Sequence, residues 1–309
     1  HMAPESVLYE DYWRVEPVHV WAGQGRSYFR AACNAVPLYT DFQIAGLAKL
    51  FKDYRLGGLY YDHMQTPQIC MNTHHGCGVK REDGTLAGTT KVRPAREYIK
   101  RICQIARAAR PDAFIDCHGS GYVCPVRAAW VDRMWIGELY FRVPFTFENF
   151  TVQCRGEPYG MPSDFLVTHE RKPGKFEGSL AYTMLYDMEP RAILWITDTV
   201  DVMAKVWKVK DAFDTDNAEW RPFWKNGEYA TVTGEECLTS LYLHPGKRAL
   251  VVVSNVGKEP AKAGLWLDLK RMGLAGKARD AFTGEAAPLK DGKASFDLAA
   301  PGLKLLWVE

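Results

Sequence analysis

Up to about residue 212 the chain alternates between stretches of helical period and short apolar runs, and beyond residue 226 only strand-like runs follow. Strands that alternate with helices imply βαβ units and a parallel sheet, whereas short runs separated by turn residues imply an antiparallel one. This change of texture predicts an α/β fold of the (β/α)8 TIM-barrel type over residues 1–212, followed by an antiparallel β-sandwich over 227–309. The segment from Asp214 to Asn226, rich in Trp and Asp, is expected to be the hinge.

The clearest unit begins at Thr40, a candidate N-cap, and places Ile44, Leu47, Ala48, Phe51 and Tyr54 on one helical face. A glycine pair leads into Leu59-Tyr60-Tyr61, which ends abruptly in Asp62-His63. The next unit starts near Pro94, with Tyr98, Ile102, Ile105, Ala106 and Ala109 as its buried face and Arg107 and Arg110 in its last turn. It leads to a strand at 113–117 that ends in His118. Further strands are expected at 131–139, ending at Glu138, at 165–168, ending in His169-Glu170, and at 192–196, ending at Asp198. With a strand at 17–21 this makes six, where eight would close a barrel. Either two strands escape the pattern or the chain begins partway through a longer protein. In the sandwich, strands are expected at 238–243, 249–254, 264–267 and 303–307.

A net charge of +2 gives no reason to expect nucleic acid or an anionic membrane as partner, and no apolar run approaches the roughly 20 residues of a membrane span. Ten tryptophans in an aromatic fraction of 13% suit a cleft for sugar rings, which present flat, partly apolar faces. The eight cysteines form no Cys-x-x-Cys pair, so no zinc ribbon, cofactor or resident metal is assigned. Cys70 and Cys77 bracket a loop that a disulfide could close. That loop, within residues 63–91, is too long for an idle connection.

In parallel α/β folds the catalytic groups sit at the carboxyl ends of strands. Two chemistries compete for these ends. A pair of carboxylates could flank a glycosidic bond, one protonated as acid and one ionised as nucleophile or base. Asp62 and Glu138, single acids after apolar strands, are the best such pair, with Glu138 as acid and Asp62 as nucleophile or base. Alternatively, His63, His118, His169 and an acid could hold a metal that activates water, although no HxH or HExxH spacing anchors this. The structural alternatives are Asp62 as a turn cap and the histidines as hydrogen-bonding core residues. Asn72 and His75 are placed to reach a substrate from the loop. Tyr61, His63, His118, Trp135, His169 and Asp198 complete the expected substrate-binding set. His118-Gly119-Ser120-Gly121 lacks the glycine that a nucleophile elbow requires before its serine, so a serine hydrolase is set aside.

GGLYYD, the loop CMNTHHGCG followed by REDG, the helix REYIKRI and the strand IGELYF together resemble a large bacterial family of glycoside-hydrolase-like proteins of uncharacterised substrate. The resemblance implies a barrel with the acid of Asp62 before the cysteine loop and the acid of Gly137-Glu138 at a later strand end. Its LVVVSN and ARDAFTGE segments are similar to the sandwich that follows the barrel in many glycosidases. It implies hydrolysis of an oligo- or polysaccharide, with no cofactor expected; a non-catalytic carbohydrate-binding role is the rival reading, and an extracellular or periplasmic setting is expected ahead of a cytoplasmic one. Relatives carry a longer N-terminal part, which accords with the strand count.

Overall fold

Pro37, rather than Thr40, starts the first long helix. The computed structural model describes residues 13, 15, 20–22, 28–30, 32–62, 69–119, 124–137, 140, 144–153, 163–166, 176–191 and 197–309. In it the helix spans Pro37–Asp53 with Val36 as N-cap. Proline's fixed φ suits the first helical position, where its missing N–H costs nothing. Thr40 therefore falls inside the first turn, and its hydroxyl donates to the Pro37 carbonyl at 2.9 Å. Ile44 and Phe51 are buried as expected, whereas Ala48 and Tyr54 are exposed.

The chain divides into two compact units, His1–Met134 and Trp135–Glu309. In the first, the strand Gly58–Tyr61 pairs in parallel with Phe114–His118. A methyl group on Gly58 would sit 2.0 Å from the Phe114 carbonyl oxygen, so the close approach of these strands excludes a side chain there. The helix Val92–Ala109 buries Ala95, Tyr98, Ile99, Ile102, Cys103 and Ala106, a stripe of helical period. Arg107 in its last turn binds Asp132 at 2.6 Å. Asp132 in turn accepts from the Ile115 backbone N–H at 2.9 Å, which ties this helix end to the strand Phe114–His118. The long loop contains two short antiparallel ladders, Ile69–Cys70 with Thr89–Thr90 and Val79–Lys80 with Leu86–Ala87.

In the second unit, Ser163–Leu166 and Glu189–Arg191 pair in parallel. Both begin earlier than the sequence pattern suggests; residues 167–170 and 192–196 lie outside the described residues. Phe176–Thr183 is helical and runs into a 3-10 turn, Met184–Tyr186, which Asp187 ends with φ of 54°. Thr197–Phe213 is the last long helix. With Arg133–Ile136 the principal sheet of the mixed α/β part has five strands, and they close no barrel among the described residues.

The remainder is antiparallel. Five strands lie in the order Glu219–Arg221, Cys237–His244, Arg248–Asn255, Gly302–Val308, Ala278–Asp280, and three in the order Ala230–Thr233, Ala261–Leu267, Lys293–Leu298. Leu241, Leu243, Val251, Val253 and Leu306 of the first sheet share one core with Ala263, Leu265, Leu267 and Leu298 of the second. Each such fully buried aliphatic side chain contributes on the order of 1.5–3 kcal/mol. The segment 214–226 holds a short helical turn and the strand Glu219–Arg221, which joins the larger sheet. Lys210 of the last helix pairs with Asp187 and Glu189, and Tyr242 donates its O–H to Asp187. Ser240 donates to the Leu185 carbonyl at 2.9 Å, a second polar tie between the strand Cys237–His244 and the turn before Asp187.

Candidate active site at the strand ends

Parallel pairing sets Tyr60 opposite Asp116 and Tyr61 opposite Cys117. Since side chains alternate along a strand, Tyr60, Asp62, Asp116 and His118 share one face, and Tyr61, Ile115 and Cys117 the other. The first face gathers the polar groups. Tyr60 Oη lies 2.8 Å from His118 Nδ1, and Asp62 Oδ1 lies 3.4 Å from the same nitrogen. His118 and Asp116 are buried, while the Asp62 side chain is 54% exposed and so open to a ligand. A proton on Nδ1 would be donated to the Asp62 carboxylate or the Tyr60 oxygen; without it, Nδ1 accepts from the Tyr60 hydroxyl. The result is an accessible carboxylate at a strand's carboxyl end, steadied by an imidazole from the neighbouring strand.

Tyr61 lies on the opposite face. Its hydroxyl bonds that of Tyr98 in the helix Val92–Ala109, with the rings edge to face at 6.0 Å. Burial pushes the Tyr61 hydroxyl up, and the bond from Tyr98 offsets part of that. Trp135, in the second unit, stands under the Arg191 guanidinium at 3.9 Å from its ring centre, and Arg191 also lies 3.9 Å from the Asp164 carboxylate. A cation over an indole face is a stable arrangement and holds the ring in place. Asp198 lies in the first turn of Thr197–Phe213, and the residues between that helix and the strand Glu189–Arg191 lie outside the described residues. Glu138, His63, His169 and Glu170 lie outside the described residues.

The loop residues make contacts within the loop itself. Asn72 is fully buried, and its side-chain oxygen accepts from the His74 backbone N–H at 2.9 Å. His75 directs Nε2 to Cys70 Sγ at 3.3 Å. Cys70 and Cys77 are free thiols, both buried, and Cys33 joins them from outside the loop. Burial pushes the Cys33 thiol well above the ordinary cysteine range; it also raises that of Cys77, where the hydrogen bond with Cys33 acts in the opposite sense.

Tyr60, Asp116 and Cys33 were not singled out from sequence. An acid inside the apolar run Ala113-Phe114-Ile115-Asp116-Cys117 was the available signal for Asp116. A cavity of 1190 Å³ in the second unit is lined by Tyr182, Lys205, Glu236, Phe282 and Lys304 among others, and by none of the residues singled out from sequence. No helix among the described residues is long and apolar enough to cross a membrane.

No family model matches the sequence, and no curated protein matches it. Solved structures do. A maltogenic α-amylase from Thermotoga neapolitana superposes with a TM-score of 0.58 at 9% identity, covering 92% of this chain and 69% of that one. An Anoxybacillus α-amylase gives 0.55 at 9% identity over 96% of this chain and 70% of its own. An α-galactosidase from Mortierella vinacea gives 0.51 at 10% identity, covering 84% and 70%. At such identity the likeness is one of fold: the chain shares the fold of these three structures.

Proposed function

We propose that the protein is a glycoside hydrolase acting on an oligo- or polysaccharide, with Asp62 and Glu138 as its carboxylate pair. The observation that carries this reading is the pose of Asp62, exposed at the end of Gly58–Tyr61 and held by His118 from the adjacent parallel strand. The fold likeness to amylases and a galactosidase supports it. In this reading residues 1–212 form a (β/α)8-type catalytic module and residues 227–309 an accessory β-sandwich.

The chemistry needs one ionised carboxylate and one protonated acid on either side of the scissile bond. Asp62 takes the first role, as nucleophile or base, since it stands open at the strand end with the His118 imidazole aiming it. Glu138 takes the second and protonates the leaving oxygen. Tyr60 and His118 orient Asp62, and Trp135, held flat by Arg191, offers a face to a sugar ring. Tyr61 is left out of the set because it faces the helix.

A panel of aryl glycosides and polysaccharides, with released sugar as readout, tests the proposal. Asp62→Asn and Glu138→Gln should each lower turnover by about two or more orders of magnitude on any hydrolysed substrate, with circular dichroism unchanged. Near-normal turnover in both variants would overturn it.

A further inference from the structure

Three thiols and an imidazole converge in the first unit, apart from the strand-end residues. Cys33 Sγ and Cys77 Sγ are 3.8 Å apart, Cys70 Sγ and His75 Nε2 are 3.3 Å apart, and all four donor atoms lie within 4.8 Å of one another. A tetrahedral zinc ion, with bonds of about 2.3 Å to sulfur and about 2.0 Å to nitrogen, needs edges of about 3.8 Å between sulfurs and about 3.5 Å between sulfur and nitrogen. The two measured edges agree with those values. The sulfur–sulfur edge does not agree with a disulfide, whose sulfurs sit about 2.05 Å apart. From this geometry we infer that Cys33, Cys70, His75 and Cys77 form a structural zinc site.

The backbone around the cluster is shaped for it. Asn72 folds the loop back on itself: its carbonyl accepts from the N–H groups of both Cys77 and Gly78, each at 3.0 Å. That turn returns Cys77 to the neighbourhood of Cys70. A side chain on Gly78 would stand 2.1 Å from the Met71 carbonyl oxygen, so only glycine lets the turn close. The Asn72 N–H points at Cys70 Sγ at 3.5 Å, a donor that a thiolate accepts better than a thiol does. Thr89 fixes the Cys77 carbonyl at 2.8 Å. Cys33 arrives separately, from the turn before Pro37–Asp53, where its N–H donates to the Trp13 carbonyl at 2.7 Å. Trp13, Val15, Val36 and Tyr39 pack with the three cysteines in one buried cluster.

Four protein donors fill a tetrahedral shell and leave no position for water or substrate, which marks the site as structural and not catalytic. On binding, each thiol releases its proton to solvent and its sulfur takes a place on the ion, three protons for one zinc. A disulfide could use two of the three sulfurs at most and would strand the third beside His75. The ion crosslinks Cys33 to the loop 44 residues on, and it pins a loop whose own ladders are only two residues long.

The test is metal analysis of the full chain purified without chelators. About one zinc per chain is expected, retained in Cys103→Ala and Cys237→Ala and lost in Cys33→Ala, Cys70→Ala and Cys77→Ala. Cobalt added to the zinc-stripped chain should give thiolate-to-cobalt absorption and intense tetrahedral bands. If the alanine variants fail to fold, His75→Cys decides, since it preserves four donors: it should hold zinc and move the cobalt spectrum toward that of a four-sulfur site. Three outcomes overturn the inference. They are no zinc and no cobalt spectrum in the wild-type chain and His75→Cys, zinc content that survives all three cysteine substitutions, or a disulfide between two of these cysteines in the native protein.

Discussion

Asp62 and His118 meet across two parallel strands, Oδ1 to Nδ1 at 3.4 Å, with Tyr60 on the same nitrogen at 2.8 Å. Pairing Tyr60 with Asp116 and Tyr61 with Cys117 carries the register on to Asp62 beside His118, so the meeting follows from strand pairing and needs no special loop. His118 is thus a positioning residue for the carboxylate. His118→Ala is expected to lower kcat by about 10²-fold with KM little changed, because the carboxylate loses its fixed aim. Asn at 118, which retains an amide donor, should recover part of the loss. Steady-state kinetics on the hydrolysed substrate check this; a rise in KM at constant kcat would assign His118 to binding instead.

Lys210 sits almost buried between Asp187 and Glu189, 3.3 Å from the former, and Tyr242 donates to the same Asp187. Burial alone would pull the lysine's pKa down, but Glu189 and Asp187 outweigh it and hold the value above the ordinary 10.5. The folded value is the higher one, so the network's contribution is complete below the ordinary lysine range and is lost only as pH rises through the folded pKa. Lys210→Ala strands two carboxylates and is expected to cost about 3 kcal/mol. Tyr242→Phe removes one hydrogen bond and should cost about 1 kcal/mol. Urea denaturation at neutral pH measures both, and an unchanged midpoint in Lys210→Ala would deny the network a role in stability.

Asp280 accepts from the backbone N–H groups of Phe282 and Thr283, at 2.8 and 3.0 Å, and pairs with Lys304 at 2.5 Å. Burial works to raise its pKa, yet the Lys304 bond and the two backbone donors prevail and hold it below the ordinary 3.8. A depressed folded value means that the stabilisation is present above the unfolded pKa and fades as pH falls through the folded one. Acid unfolding of Asp280→Asn should therefore show a smaller loss of stability below about pH 4 than the wild type, from a lower starting point at neutral pH. Parallel acid titrations by circular dichroism, with equal losses in both proteins, would contradict this.

Much of this architecture was legible in the sequence because it rests on local pattern. The stripe of Tyr98, Ile102 and Ala106 marked the second helix, and the runs around Leu241 and Val251 marked the central strands of the larger sheet. Strand starts were less legible: Ser163–Leu166 and Glu189–Arg191 begin earlier than the apolar runs suggested, since tertiary pairing and not hydrophobicity sets where a ladder begins. Short edge strands such as Glu219–Arg221 and Ala278–Asp280 escaped notice because three residues carry too little pattern. At the site, Asp62 could be found from its place after an apolar run. Tyr60 could not, and Asp116 showed only as an acid inside an apolar run, because which face they share depends on a register between strands more than 50 residues apart. Cys33 is the extreme case. Its donor partners are a loop away, and no spacing rule links it to Cys70-x4-His75-x-Cys77.

The order of the larger sheet has a consequence for how the protein behaves in concentrated solution. Ala249-Leu250-Val251-Val252-Val253-Ser254, a β-branched run without charge or proline, is the kind of segment that self-associates when its backbone is free to pair. Here it is the middle strand, bonded to Cys237–His244 on one side and Gly302–Val308 on the other along nearly its whole length. The outermost strands are the three-residue Glu219–Arg221 and Ala278–Asp280, which present charged side chains and too short a template for another chain to dock. The sheet thus seals its stickiest segment behind a long strand on either side, and fibrillar association would first require stripping Cys237–His244 or Gly302–Val308 from its place.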